Sequence, residues 1–305
     1  MRLIDASTTK SLLDFPSLVD VMESQFKTGA ELPLRHHHVI KKAHEDDASI
    51  LIMPAWECDG FLGVKLVTVV PGNSARGLPS VMASYILSSS ISGEVLAIID
   101  GPELTARRTA AVSALASIFL SRKDCSTLLM IGTGVMAPNL VHAHASVRPI
   151  KKVIIWGRNR ENAEHLSKLL SSDGLFEVCV TDNLKKSASY SDIISCATLS
   201  TEPIIKGNWL QKGQHIDLVG AFKPEMRESD DECMRLSKVF VDTCEGALSE
   251  GGDVVQAIRS GALVKDNMKG DLFELCSNQV AGREEDDEIT LFKSAGSAIE
   301  DLAAA

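Results

Sequence analysis

Three sets of residues in this 305-residue chain have types and spacings that could do chemistry. The first is LLMIGTGVMA at 128–137, where an apolar run ends in Gly132, Thr133, Gly134, Val135, Met136 and Ala137. Gly132 and Gly134 allow a sharp turn and a close approach of the backbone to a pyrophosphate, and the small Ala137 lets the next helix pack on its sheet. The N–H groups opening such a helix face an anion. Taken alone the pattern also serves ordinary tight turns, so its surroundings decide.

The second set lies about 20 positions on, where the end of the second strand of a dinucleotide-binding unit reads the ribose. A carboxylate there accepts from a free 2′-OH, and an arginine accommodates a 2′-phosphate. Here IIWGRNRE offers Gly157, Arg158, Asn159 and Arg160, with no carboxylate among the four. Cations in a first helical turn oppose the helix dipole, and an anion beside Arg158 and Arg160 explains their placement better than surface decoration does. NADPH is the expected cofactor, with NADH admissible.

The third set is cationic. Lys65 sits in FLGVKLVTVV, a run apolar on both faces that predicts a strand buried on both sides. A lysine there must reach water or meet an anion. Arg107 and Arg108 follow Thr105, a good N-cap residue, and so read as first-turn cations of an apolar helix. By spacing alone, an ion pair with Glu103 or a nearby Asp and a bound anion are equal readings. Arg35 opens RHHHVI, whose three histidines alternate sides of a strand and cannot share one metal, and His142 and His144 point to different faces of a helix. No metal is expected, and neither a Gly-x-Ser-x-Gly turn nor a Walker lysine motif occurs.

Two textures of sequence must position these residues. From about residue 126, short apolar runs alternate with amphipathic stretches: TLLMI, a helix over 135–147, KVIIW, a helix over 160–171, FEVCV, a short polar helix, DIISCAT, HIDLVGA and KVFVD. That order predicts a parallel sheet with crossover helices, an α/β domain of Rossmann type with the glycine turn after its first strand. Before residue 121, ASILIMPAWECDGFLGVKLVTVV and VMASYILSSSISGEVLAIIDG read as strands joined by Gly and Asp turns, followed by a helix over ELTARRTAAVSALASIFLSR. The expected domains are a β-rich α+β unit at 1–121, completed by about 294–305, and the nucleotide unit at 122–293. The acidic REEDDE at 283–288 reads as a solvated loop.

A formal charge of −10 argues against nucleic acid or an anionic membrane as partner. Seven cysteines without a Cys-x-x-Cys pair read as reduced residues. The N-terminus lacks a continuous apolar segment with a small-residue cleavage site, and no run approaches bilayer-spanning length. A soluble cytoplasmic protein is expected.

In order along the chain, LGVKLVTVVPGN, LTARRTAAVSALA, MIGTGVMA, HIDLVGAFKPEMRE and ITLFKSAG resemble the motifs of the ornithine cyclodeaminase/mu-crystallin family over nearly the whole length. The resemblance implies a nucleotide domain and a β-rich domain that binds substrate and forms a homodimer. It also implies that the substrate carboxylate is gripped by Arg35, Lys65 and Arg108, the last being the arginine before Thr109 in RTAA. Thr109, Thr198 and Ser294 are counted with the cofactor-binding residues.

Cyclodeaminases of the family carry an Asp in a GGD-x-P-G-K segment, where it manages the amino group. The matching segment here is VGAFKPEMRE, with Phe222 in that place, and a phenyl ring has no proton to exchange. The GAF-x-P-x-MRE form is similar instead to the imine-reducing branch, the Δ1-pyrroline-2-carboxylate reductases and ketimine reductase, and WGRNRENAE is similar to the NADP-using mu-crystallins. The resemblance therefore implies hydride transfer from NADPH to C2 of Δ1-pyrroline-2-carboxylate, giving L-proline, with Phe222 as an apolar wall. Δ1-Piperideine-2-carboxylate, giving L-pipecolate, is the second expected substrate. The alternatives are an ornithine cyclodeaminase, an alanine dehydrogenase using pyruvate and ammonia, and a non-catalytic mu-crystallin-like binding protein. The end, SAIEDLAAA, reads as an uncapped helix where family members continue.

Overall fold

The computed structural model describes residues 1–305, with Ser74 described by its backbone alone. The chain divides into two compact units, Met1–Arg108 with Ala298–Ala305, and Thr109–Ser297.

The first unit holds β1 (Arg2–Ile4), α1 (Ala6–Leu12), α2 (Phe15–Thr28), β2 (His36–Ile40), β3 (Ala48–Trp56), β4 (Phe61–Val69), β5 (Val81–Ser89), β6 (Val95–Asp100) and the start of α3 (Gly101–Leu120). Its strands form one sheet in the order β1-β6-β5-β4-β3-β2, antiparallel except where β1 runs along β6. Asp5 and Asp14 start the first two helices by accepting from Thr8 N and Ser17 N, and Pro16 in the first turn of α2 suits a position that needs no N–H. The buried stripe of α2, Phe15, Leu18, Val19, Met22 and Phe26, is joined by the closing helix Ala298–Ala304, which packs on α2, β3 and β4.

On β4, Gly63 and Lys65 are buried, whereas Leu62, Val64 and Leu66 are half-buried. The strand is thus fully covered on one face only, although its apolar run predicts burial on both. Lys65 lies across from Met53 on β3 and from Tyr85 on β5. Tyr85 leans along the sheet over Gly63, where a Cβ would lie 1.7 Å from the phenol oxygen.

Helix α3 begins at Gly101, ahead of the predicted cap at Thr105, because Asp100 Oδ1 accepts from Glu103 N at 2.8 Å. Arg107 and Arg108 therefore fall in the second turn, where the dipole opposes a cation less than in the first. The division between units falls at Arg108/Thr109, inside this helix, and not near residue 121. The later part of α3 belongs to the second unit, where Ser113 Oγ donates to the buried Asp217 at 2.9 Å.

That second unit continues with β7 (Thr127–Ile131), α4 (Met136–Val147), β8 (Lys152–Trp156), α5 (Arg160–Ser172), β9 (Glu177–Val180), α6 (Leu184–Tyr190), β10 (Ile193–Cys196) and β11 (His215–Leu218). It then adds α7 (Asp231–Leu236), β12 (Lys238–Val241), α8 (Cys244–Ser249), α9 (Gly252–Ser260), β13 (Gly270–Asp271), α10 (Leu272–Cys276) and β14 (Thr290–Lys293), and the closing helix of the first unit is α11. All eight strands are parallel, in the order β13-β12-β14-β11-β10-β7-β8-β9. The order reverses between β7 and β10, the switch point beside which ligands bind such sheets at the carboxyl ends of the strands. TLLMI and KVIIW are β7 and β8, as their apolar runs predict, but the alternation does not predict β14, which slots between β11 and β12.

Residues 283–288 form neither helix nor strand, and Glu284, Asp287 and Glu288 pair with Lys238 or Lys212. The seven cysteines are free thiols, and among the described residues no helix is long and apolar enough to cross a membrane.

Replacing Gly63 by Ala should force Tyr85 out of place and lower the unfolding free energy by about 1–3 kcal/mol, the usual range for overpacking. Urea denaturation measures this, and an unchanged midpoint would contradict the contact between Gly63 and Tyr85.

Candidate active site

In the second unit the glycine turn is held from both sides. Gly132 has φ 111°, and a Cβ there would come within 2.4 Å of Ala197 O, so glycine is needed both for the dihedral and for the approach of the chain after β10. Its N–H donates to Trp156 O at the end of β8, at 2.9 Å. Gly157 brings the next loop against the turn, since a Cβ would lie 2.6 Å from Thr133 Cγ2. Beside Gly134 there is open space, as a closely approaching pyrophosphate would require. Among the described residues no side chain caps α4, which leaves its opening N–H groups suited to an anion. Val135 is exposed ahead of α4, Met136 begins it, and Ala137 is buried against the sheet. The residues present thus fit the two phosphates of a dinucleotide.

The ribose-reading positions differ from one another. Asn159 caps α5 by accepting from Asn162 N at 3.2 Å. Arg160 is held by Glu164 at 2.9 Å and by Asp182. Arg158 is exposed and carries no ion pair among the described residues. Of the hydroxyl residues, Thr198 donates its N–H and Oγ1 to Glu228 Oε1 at 2.7 and 2.8 Å, and buried Ser294 donates to Asp242 Oδ2 at 3.3 Å. Thr109 is buried on α3. Phe222 follows the Gly220–Ala221 turn after β11 and is 42% exposed. The helix histidines part company: His142 pairs with Asp173 near the surface, whereas His144 is buried 3.1 Å from Asp217.

In the first unit, Lys65 and Arg108 are brought together by acids that local spacing does not reveal. Asp301 Oδ2 lies 2.6 Å from Lys65 Nζ, Asp301 Oδ1 accepts from Arg108 Nε at 3.0 Å, and Glu300 pairs with Arg108 Nη1. None of the four side chains is more than 5% exposed. The one sequence signal was the adjacent acidic pair in the apolar SAIEDLAAA. Arg107 is occupied elsewhere, 3.4 Å from Glu103 and stacked over the Phe15 ring. Arg35 directly precedes β2, whose first residue His36 pairs with Ile52, and it is half-buried.

Two cations and two carboxylates leave this buried cluster neutral. Burial pushes the Lys65 ammonium down to about 8, against the pull of Asp301 and with Arg108 adding to the fall. A lowered lysine is charged below that pH and neutral above it, so any anion it holds is released as the pH rises. Pyrrole-2-carboxylate, which has no group titrating in that range, should bind progressively more weakly above pH 8, by at most about tenfold per pH unit. Isothermal titration from pH 7 to 10 checks this, with Lys65→Gln expected to bind weakly and without a pH slope. A wild-type affinity constant over that range would remove Lys65 from the anion site.

Comparison with known proteins places this geometry in context. Residues 3–305 match the model of the ornithine cyclodeaminase/mu-crystallin family. A Δ1-pyrroline-2-carboxylate reductase of Colwellia psychrerythraea is 35% identical over 100% of this chain and 97% of its own. Among solved structures, the Thermococcus litoralis Δ1-pyrroline-2-carboxylate reductase in complex with NADH and L-proline superposes with a TM-score of 0.92 at 35% identity, covering 100% of this chain and 95% of that one. An archaeal alanine dehydrogenase dimer with bound NAD gives a TM-score of 0.90 at 28% identity, over 100% and 93% of the two chains. With a match running over nearly its full length, the chain belongs to the ornithine cyclodeaminase/mu-crystallin family.

Proposed function

We propose that this protein reduces Δ1-pyrroline-2-carboxylate to L-proline with NADPH as the hydride donor, and takes the six-membered homologue as a second substrate. The observation that carries the reading is Phe222, which stands on the loop after β11 where ring closure with loss of ammonia would need an acid–base group. Imine reduction needs no such group. It needs a held carboxylate, a hydride donor set against the ring carbon, and an apolar wall.

Lys65 and Arg108, oriented by Asp301 and Glu300, supply charge for the carboxylate, with Arg35, just ahead of β2, as the third cation. Each charge-assisted hydrogen bond of this kind contributes about 1.5–3 kcal/mol. The ring nitrogen enters protonated, and its positive charge makes C2 electrophilic. A dihydronicotinamide, when bound, would supply a hydride to C2, and the iminium would become the secondary amine of L-proline with no further proton. Phe222 adds apolar surface and no competing base.

Arg158 supports NADPH over NADH, because it is a planar cation with no ion pair among the described residues at the expected ribose-reading position, whereas Arg160 is engaged by two carboxylates. A homodimer is supported by the outer face of the first sheet, where Ile52, Pro54, Leu62, Val64, Leu66 and Ile86 alternate along their strands and are only half-buried. Seven free thiols suit the cytoplasm.

Loss of dihydronicotinamide absorbance on adding Δ1-pyrroline-2-carboxylate tests the reading, with ammonia release from L-ornithine plus NAD run beside it. Rapid oxidation of NADPH without ammonia is expected, and ammonia without imine reduction would overturn it. Arg158→Ala should raise the KM for NADPH about tenfold, equivalent to roughly 1.4 kcal/mol, and leave the KM for NADH unchanged. Equal effects on both cofactors would take the 2′-phosphate away from Arg158.

A further inference from the structure

Behind the loops that follow β10 and β11 lies a buried carboxylate, Glu228, that the proposed reaction does not use. It accepts three hydrogen bonds from two separate chain segments: Thr198 N at 2.7 Å and Thr198 Oγ1 at 2.8 Å on Oε1, and Gly220 N at 2.7 Å on Oε2. The segments touch at that point, since a Cβ on Gly220 would lie 2.0 Å from Thr198 O. Glu228 is fixed in turn by Asp253 at the start of α9, whose Oδ1 accepts from Glu228 N at 3.0 Å, Ser229 N at 2.8 Å and Ser229 Oγ at 2.9 Å. Gln256, one turn along α9, donates to Pro224 O and Met226 O at 3.0 Å each and holds the stretch that bears Phe222.

These two loops close the second half of the doubly wound sheet. The glycine turn and Arg158 belong to β7 and β8, the half that reads the adenosine side, so the half built on β10 and β11 takes the nicotinamide side. The loop after β10 also abuts the glycine turn through Ala197 O and Gly132. One carboxylate therefore ties the loop after β10, which abuts the phosphate turn, to the loop after β11 that leads to Phe222.

We propose that Glu228 is the positioning residue of the nicotinamide side of the cofactor site, its ionised carboxylate tying the loop after β10 to the loop after β11. All three of these bonds bring a donor to the carboxylate, so protonation removes the charge that strengthens them, and the tie loosens. The groups facing Glu228 are Lys293 on β14, which favours the charged form, Asp253 on α9, which opposes it, and Thr198 on the loop after β10 with the Cys196 thiol at the end of β10, which favour the charged form. Burial outweighs the rest and pushes the carboxyl up to about 7, inside the working range of pH. A raised carboxyl is ionised above that pH and protonated below it, so cofactor binding weakens as pH falls through it.

The inference rests on the reading that the glycine turn holds a nicotinamide dinucleotide, and its test is a binding measurement that is independent of which imine is reduced. NADH is the probe, because unlike NADPH it has no phosphate titrating near neutrality. Its fluorescence on binding to the full chain is followed from pH 5.5 to 8.5, with thermal unfolding recorded in parallel.

Wild type is expected to lose NADH affinity below about pH 7. Glu228→Gln should bind about tenfold more weakly at pH 8, because its amide sets a donor against Gly220 N, and should show no pH slope. Asp253→Asn keeps an acceptor oxygen but removes the repelling charge, so it should move the midpoint of the wild-type slope downward. A role in folding alone predicts a lowered unfolding temperature with the affinity and its pH slope intact, and that result overturns the proposal, as does a wild-type affinity constant across the range. If Glu228→Gln does not fold, the wild-type slope and its shift in Asp253→Asn decide. A chain with this behaviour and no imine reduction would keep the tie and lose the proposed substrate.

Discussion

The buried cluster of Lys65, Arg108, Glu300 and Asp301 is the constraint on which the first unit depends. An ammonium and a guanidinium under the cover of α2 and α11 would each carry a large desolvation penalty alone, and removing one partner from such a cluster leaves an uncompensated buried charge. The acids come from the last helix of the chain and the cations from β4 and α3, so the cluster binds three elements that meet only in the folded state. A paired charge of this kind is weak evidence for stability, since apolar side chains of similar volume would serve as well or better. Under the proposed function, the cluster instead presents fixed cations to an anion. The phenol of Tyr85 beside it, without a hydrogen-bond partner among the described residues, is a second polar group in a place where packing alone asks for none.

The second unit reaches its precision by a different route. Backbone approaches too close for a Cβ, at Gly132 and Gly220, bring strand ends together, and buried carboxylates collect the N–H groups that such turns leave over. Glu228 and Asp242 each gather donors from two segments, so the ends of β10, β11, β12 and β14 are fixed relative to one another before any ligand arrives. Preorganisation of this sort lowers the ordering penalty of binding.

Local signals carried most of the fold and little of the electrostatics. The runs TLLMI and KVIIW became strands because four or five consecutive apolar residues between polar turns have few other burials open to them. The start of α3 was misplaced because Asp100 and Thr105 are both good caps, and only the hydrogen bond to Glu103 N distinguishes them. β14 escaped notice because a short strand inserted from far along the chain has no neighbouring crossover pattern to announce it. The partners of Arg108 lie 192 and 193 positions away, a separation at which no periodicity operates. Arg160 likewise depends on Asp182, 22 residues on, for the ion pair that separates it from Arg158.

The account stands or falls on whether Lys65 and Arg108 grip the carboxylate of a cyclic imine. The direct measurement compares Δ1-pyrroline-2-carboxylate with Δ1-pyrroline, the same ring without its carboxylate, as substrates for NADPH oxidation. With charge-assisted bonds of about 1.5–3 kcal/mol each from more than one cation, kcat/KM for Δ1-pyrroline should be lower by a factor on the order of a thousand. Comparable values for the two rings would contradict the account, and would assign Lys65 and Arg108 to the structure of the first unit alone.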